Sequence, residues 1–353
     1  MNKLLTIVIP AYNMEKYLKR CLDSILCEEI MDKVEVFIIN DGSKDKTLEI
    51  AREYEKKFPQ YYHVIDKPNG NYGSCMNKGL SLANGKYFRT LDADDWFDTP
   101  SYIKYVEDLE KTDADMLISE YQYFHEDTQK TETVKITEEC RKYEDLPFVK
   151  KNWDNTCFLD LSKIWGLVYK TSILKESGIK WDEGVFYTDN EFNFWPLKLI
   201  KTIRYIPIPI YIYLIGREGQ SVNDKVQERN YNSYNIVANT MVDEFLKVYD
   251  EKTDVFQVQL HFLNRVLRKL YIRLLSFNFK HNDIINNMNE KLMRNPKIYN
   301  FFAESNLFHG INFIEAFRTN KLLLYYCRCR FCYDKFIYRL ATNKTFRRIL
   351  GKK

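Results

Sequence analysis

The feature that constrains this chain most is the alternation at its start. Leu4-Leu5-Thr6-Ile7-Val8-Ile9 is a continuous β-branched and aliphatic run, the pattern of a strand buried on both faces. Pro10-Ala11-Tyr12-Asn13 breaks the run. Leu18, Cys21, Leu22, Ile25 and Leu26 then recur at helical spacing, with Asn13 as the expected cap. Val34 to Ile39 repeats the strand, Asn40-Asp41-Gly42-Ser43 closes it, and a second amphipathic helix carries Leu48, Ile50, Ala51 and Tyr54. Strand, helix, strand, helix in this order argues for an α/β fold with a parallel sheet and right-handed crossovers. Ligands of such sheets bind beyond the carboxyl ends of the strands. The residues there are Pro10 to Asn13, Asn40 to Ser43 and Asp92 to Asp95, with Tyr61 to Ile65 as a further strand, so the three polar clusters are expected to line one cleft.

The last cluster is acidic. Asp92, Asp94 and Asp95 fall within four residues, after the β-type run Lys86-Tyr87-Phe88 and before a helix expected to start with Thr99 as cap and Pro100 in the first turn. Carboxylates that close repel and stay ionised only beside a cation or several donors. Magnesium or manganese would suit such hard oxygen ligands. On local sequence alone, a turn that caps the next helix explains the acids equally well. Between the second and third clusters, Asn69-Gly70-Asn71-Tyr72-Gly73-Ser74 is a glycine loop expected to open a helix from Cys75 to Ala83, with Gly85 at its C′ position. Such a loop can cradle phosphate on backbone amides, although this one is no GxGxxG.

Further on, Asp115 to Ser119 reads as a strand and Tyr121 to Val134 as a strand pair. The region from Asp154 to Tyr213 is rich in aromatics that mostly belong in a core. A second acidic focus follows in Gly184 to Phe192, where Asp189 or Asn190 could cap a helix or Asp189 could serve as a general base. Around Gly216 to Asn230 the composition turns polar. Beyond it Leu260, Leu263, Leu267, Leu270 and Leu274 indicate an antiparallel helical pack. A catalytic region at residues 1–220 and a helical region at 221–353 are the expected domains.

The net charge of +4 is too small for a nucleic-acid binder. Its distribution is uneven, because the stretch from Arg318 to the end carries many arginines and lysines against the single acid Asp334. That tail, with Phe331, Phe336 and Ile337 interleaved, suits an anionic bilayer surface or a solvated helix face. No apolar run approaches a bilayer span of about 18 residues, and Pro10 cuts the first run short of a signal-peptide core. A cytoplasmic protein with reduced cysteines, peripheral to the membrane at most, is the expectation. Cys327, Cys329 and Cys332 lack a fourth ligand for zinc.

Taken together, Ile7 to Asn13, Asn40 to Asp45, Asn69 to Gly73, Asn77-Lys78-Gly79 and Leu91 to Asp95 resemble, in order and spacing, the motifs of family 2 glycosyltransferases, which are inverting enzymes of the GT-A fold. The resemblance covers residues 1 to about 220. It implies a Rossmann-like, mostly parallel sheet flanked by helices. By the same resemblance Pro10, Ala11, Tyr12 and Asp41 hold a nucleotide base, usually uracil, while Asn69, Gly73 and Asn77 line the donor. Asp92 and Ala93 touch the ribose or sugar side, Asp94 binds Mn2+ or Mg2+, and Asp189 is the base. Trp165-Gly166 with Tyr169 resembles a segment bordering the acceptor site, and Tyr211, Tyr213, Arg217 and Ser221 fit the end of the catalytic domain.

Three positions depart from the pattern. Met76 stands where arginine is common, Thr188 where a glutamate precedes the base, and Leu167 where lysine is frequent. No Gln-x-x-Arg-Trp segment occurs, which counts against a processive synthase. The expected activity is metal-assisted, inverting transfer of one sugar from a nucleotide sugar, UDP-linked by the resemblance, to a hydroxyl of a growing cell-surface glycan that is free or lipid-linked. The alternative is a non-catalytic nucleotide-sugar-binding scaffold of a polysaccharide assembly complex. A nucleotidyltransferase would show a glycine-rich basic loop directly after the first strand, and Pro10 to Asn13 is not one.

Overall fold

The computed structural model describes residues 3–136, 144–148, 162–217, 226, 229–276, 282–305, 307–308 and 311–312. Ser221, the cysteines at 327, 329 and 332 and the basic tail from Arg318 lie outside the described residues. The chain forms two compact units, Met1–Ser233 with Glu244–Leu260, and Tyr234–Asp243 with His261–Lys353.

The first unit is built on one sheet. Its opening half follows from the aliphatic runs: β1 (Leu5–Ala11), β2 (Val34–Asp41), β3 (Tyr62–Lys67) and β4 (Tyr87–Thr90) are parallel in the order β3-β2-β1-β4. Helices α1 (Leu18–Ile25), α2 (Thr47–Lys57) and α3 (Asn71–Leu82) provide the crossovers. β2 is buried along its whole length, as a strand covered on both faces must be.

The other half is antiparallel in part, so the sheet as a whole is mixed. After β5 (Trp96–Phe97) and α4 (Thr99–Leu109) comes β6, a single strand over Met116–His125 that turns back as β7 (Lys130–Val134). The short β8 (Leu146–Pro147) pairs antiparallel with β10 (Thr202–Ile215). β9 (Leu167–Lys170) runs antiparallel to both β4 and β6, β10 lies parallel to β6, and β5 closes the edge against β10. Helices α5 (Thr171–Glu176) and α6 (Asp189–Phe194) fall between β9 and β10.

Three local expectations are corrected. Asn13 does not cap α1, whose N-cap is Tyr17. Asn13 instead adopts φ 55 and accepts from the Lys44 backbone N–H at 2.8 Å, tying the end of β1 to the loop after β2. Asp98, not Thr99, caps α4, accepting from the Ser101 amide at 3.1 Å. Gly85 is not the C′ residue of α3, which begins earlier than expected, at Asn71, and has Ala83 as its C-cap. A Cβ on Gly85 would lie 2.5 Å from the Thr6 nitrogen, so glycine is required there by close backbone approach.

After the sheet the described chain is largely helical, with α7 (Tyr231–Val248), α8 (Asp254–Ser276), α9 (Asn282–Met293) and α10 (Pro296–Ser305). Within the second unit, Tyr271 donates to Asn289, and Leu263, Leu267, Leu270 and Leu274 of the expected leucine repeat are all buried. Among the described residues no helix is long and apolar enough to cross a membrane.

Candidate active site

Because β1 lies between β2 and β4 and is parallel to both, the three polar clusters emerge side by side. Ala11 pairs with Asn40, and Val8 with Thr90, which sets Asp41 and the acidic loop on either side of the end of β1. Ala11 is buried, Pro10 is partly covered and the Tyr12 ring is 46% exposed.

Asp41 organises the chain that follows β3. Its Oδ1 accepts from the Gly70 amide at 2.9 Å and from Lys67 Nζ, and its Oδ2 accepts from Asn69 Nδ2 at 3.0 Å. Lys67 Nζ also donates to Ser74 Oγ at 2.7 Å in the first turn of α3. Asp41 thereby fixes the glycine loop against the end of β2. Lys67 escaped the sequence reading. Its one local signal is a lone cation directly before Pro68 and that loop.

On the other side, the acidic loop is held from three directions. Tyr211 on β10 donates to Asp95 Oδ2 at 2.7 Å and accepts from the Asp92 amide at 3.1 Å. The Leu214 amide donates to Asp95 Oδ1 at 2.8 Å. Arg217 Nε donates to Asp94 Oδ2 at 2.7 Å, and Arg20, stacked 3.7 Å from the centre of the Trp96 ring, donates to the Asp94 carbonyl at 2.9 Å. Asp95 is therefore spent on structure, whereas Asp92 Oδ1 is buried with no hydrogen-bond partner. Desolvation and then the charges of Asp94 and Asp189 push the Asp92 carboxyl up to about 7, against the Tyr72 hydroxyl and Arg217. Desolvation and then the charges of Asp94 and Asp92 hold Asp95 well above the usual carboxylate range. Asp189, at the start of α6, is thus brought within electrostatic reach of Asp92, and Ala93 is buried between the acids.

Gly73 and Asn77 face a different neighbour. A Cβ on Gly73 would lie 2.1 Å from the Asp182 carbonyl oxygen. The Asn77 amide accepts from the Trp181 N–H at 2.9 Å and donates to the Trp181 carbonyl at 3.0 Å and to Glu183 Oε1 at 2.8 Å. Met76, Leu167 and Thr188, the three departures from the expected pattern, are all buried. Sequence reasoning also missed Glu191. It is wholly buried, accepts from the Asp182 amide at 3.0 Å, and has its carboxyl raised to about 8 by burial, with the Asp182 charge next. The available signal was an acid on a short helix whose other positions include Phe192, Phe194 and the adjoining Trp195.

Among the described residues no group of three or more His, Cys, Asp or Glu could by itself hold a metal ion. The donor set still fits a hard cation. Asp92 Oδ1 is buried without a partner beside Asp94, whose Oδ2 is held by Arg217, so the two carboxyls offer hard oxygen ligands, and magnesium-type ions complete their shells with water and phosphate oxygens.

Residues 6–162 match the sequence profile described as Glycosyl transferase family 2. The chain is 29% identical over 215 residues to the putative glycosyltransferase EpsH of Bacillus subtilis, a stretch covering 60% of each protein. It is 31% identical over 232 residues to the uncharacterized glycosyltransferase RT0329 of Rickettsia typhi, covering 64% of this chain and 68% of that one. The chain thus spans about three fifths of the length of EpsH. In structure it is similar to S. aureus TarS 1-349 in complex with UDP-GlcNAc, with a TM-score of 0.63 and 17% identity across 91% of this chain and 89% of that one.

Proposed function

The chain belongs to glycosyltransferase family 2 and has the GT-A fold, and on that premise we propose that it moves one sugar, with inversion, from a UDP-linked donor to a hydroxyl of a growing cell-surface glycan. The observation that carries this reading is that Asp41 ends β2 and Asp92 and Asp94 follow β4 on either side of β1, with Asp189 near enough to Asp92 to act on its charge. There Asp41 would accept from the ring N–H of uracil, with Pro10, Ala11 and the exposed Tyr12 beside the base. Asp92 and Ala93 would meet the ribose or sugar side, and Asn69 the donor beyond it.

Asp94 would hold Mn2+ or Mg2+ against the donor diphosphate. A divalent ion so placed supplies Lewis-acid stabilisation of the leaving phosphate. The chain's own contribution is positional and basic. Asp189 takes the proton of the acceptor hydroxyl as its oxygen bonds to the anomeric carbon and the bond from that carbon to the diphosphate oxygen breaks. One displacement inverts the centre, and the nucleoside diphosphate leaves. The glycan acceptor follows from the polysaccharide context expected for such a transferase, and a single addition from the absence of a Gln-x-x-Arg-Trp segment.

The test is a thermal-shift screen of nucleotides and nucleotide sugars with and without manganese, repeated on Asp94→Ala. A ligand at ~100 times its dissociation constant should stabilise the fold by about 2.7 kcal/mol. Manganese-dependent stabilisation by UDP or a UDP-sugar, absent in Asp94→Ala, is the expected result. No response to any nucleotide in the unmodified chain would overturn the donor reading.

A further inference from the structure

The segment Trp181 to Gly184 touches both sides of the site. On one side it is bonded to the glycine loop and α3: Asn77 brackets Trp181, Gly184 N–H donates to the Gly70 carbonyl at 2.8 Å, and Asp182 O occupies the space a Gly73 side chain would need. On the other side it is bonded to the helix that begins with Asp189. Glu191 Oε2 accepts from the Asp182 amide at 3.0 Å, and the Trp181 ring stacks on Phe192 with centroids 6.1 Å apart and planes 21° apart.

We propose that Glu191 is a positioning residue that locks the segment Trp181–Gly184 between the helix of Asp189 and the glycine loop, so that the donor side and the base side of the site keep one spacing. The inference rests on the reading of that loop as the donor side. Beside the Trp195 side chain, which also favours its ionised form, Glu191 has the Asp182 amide as its hydrogen-bond donor at 3.0 Å, and removing an acceptor costs most where its partner is left unsatisfied. Here the partner is the backbone of the bridge itself. Burial raises the Glu191 carboxyl to about 8, so at neutral pH the group is an uncharged acid that can sit in the core without a counter-ion and that glutamine imitates closely.

The experiment compares Glu191→Met with Glu191→Gln in the full chain. Methionine keeps the volume and removes the acceptor, whereas glutamine keeps the acceptor. Two readouts are taken: UDP affinity in the presence of manganese, and amide hydrogen exchange at Trp181 and Gly184, whose own bonds go to Asn77 and Gly70 rather than to Glu191. Glu191→Met should weaken UDP binding about tenfold, the worth of one lost hydrogen bond, and speed exchange at both amides. Glu191→Gln should stay within about twofold of the unmodified chain on this scale. Unchanged exchange and affinity in Glu191→Met would overturn the proposal, as would a glutamine variant as impaired as the methionine one. If the unmodified chain binds no UDP but exchange still rises in Glu191→Met, the positional role of Glu191 is supported and the donor reading of the loop is rejected.

Discussion

Tyr211 and Asp95 stand 116 residues apart in sequence and 2.7 Å apart in the fold, the tyrosine hydroxyl donating to Asp95 Oδ2. The same hydroxyl accepts from the Asp92 amide. One side chain on β10 thereby shapes a loop that follows β4, and the acidic cluster gains a fixed geometry from a distant strand.

Tyr211→Phe should therefore strand a buried carboxylate oxygen and a backbone N–H together, since Asp95 is 1% exposed. Leaving such groups unsatisfied costs about 1–3 kcal/mol. A urea melt should register that loss, and manganese-dependent UDP binding should weaken with it. A midpoint equal to that of the unmodified chain would mean that Asp95 finds another donor once the hydroxyl is gone.

Gly73→Ala tests the contact between α3 and the bridge. The atom that a Cβ would strike is the backbone oxygen of Asp182, at 2.1 Å, which cannot swing aside as a side chain can. Relief requires a shift of α3 or of residues 181–184, a strain of about 1–3 kcal/mol. Lower stability and weaker UDP binding are expected together, read by denaturant melts and calorimetry. Loss of neither would show that the two segments separate freely.

Arg217→Ala addresses the metal position. Arg217 Nε occupies Asp94 Oδ2 at 2.7 Å, with both side chains largely covered. A cation approaching Asp94 must compete with that guanidinium or share the carboxylate with it. Removing Arg217 should tighten manganese binding in the absence of nucleotide by up to about tenfold, the scale of one charge-assisted hydrogen bond. Titration calorimetry would decide, and unchanged or weaker manganese binding would speak against Asp94 as the ligand.

The parallel half of the sheet was legible because strands buried on both faces are mostly apolar runs, as in Ile7 to Ile9 and Val36 to Ile39. The rule that ligands gather at carboxyl ends then located the three clusters without further information. The antiparallel half was harder to read. In β10 the stretch Ile206-Pro207-Ile208-Pro209 lacks two ladder donors, and the pairing with β6 shifts register between Ile206 and Tyr211. The caps at Asn13 and Thr99 were misread for one reason: a local rule ranks residue types but cannot see Lys44 or the more favourably placed Asp98. Lys67 and Glu191 were missed because each is defined by a partner, Asp41 and Asp182, that only the folded chain supplies.

Glu191 also gives the fold a pH dependence with a definite sign. Its carboxyl is raised from an ordinary value of 4.5 to about 8, chiefly by burial, then by the charge of Asp182 and to a lesser extent that of Asp189, against the Asp182 amide and the Trp195 side chain, which favour the ionised form. The folded state therefore holds a proton that the unfolded state gives up between these values. The stabilisation from Glu191 is fully present below about pH 4.5 and is lost as the pH rises through about 8. Within that window one group can contribute a slope of up to about 1.4 kcal/mol per pH unit. Glu191→Gln removes the ionisation while keeping the hydrogen bond, so its stability relative to the unmodified chain should rise steadily from about pH 5 to about pH 8. Urea melts of both proteins at four pH values across that range measure the difference directly. Parallel curves would mean that Glu191 ionises in the fold as it does in water, and the buried neutral acid would have to be abandoned.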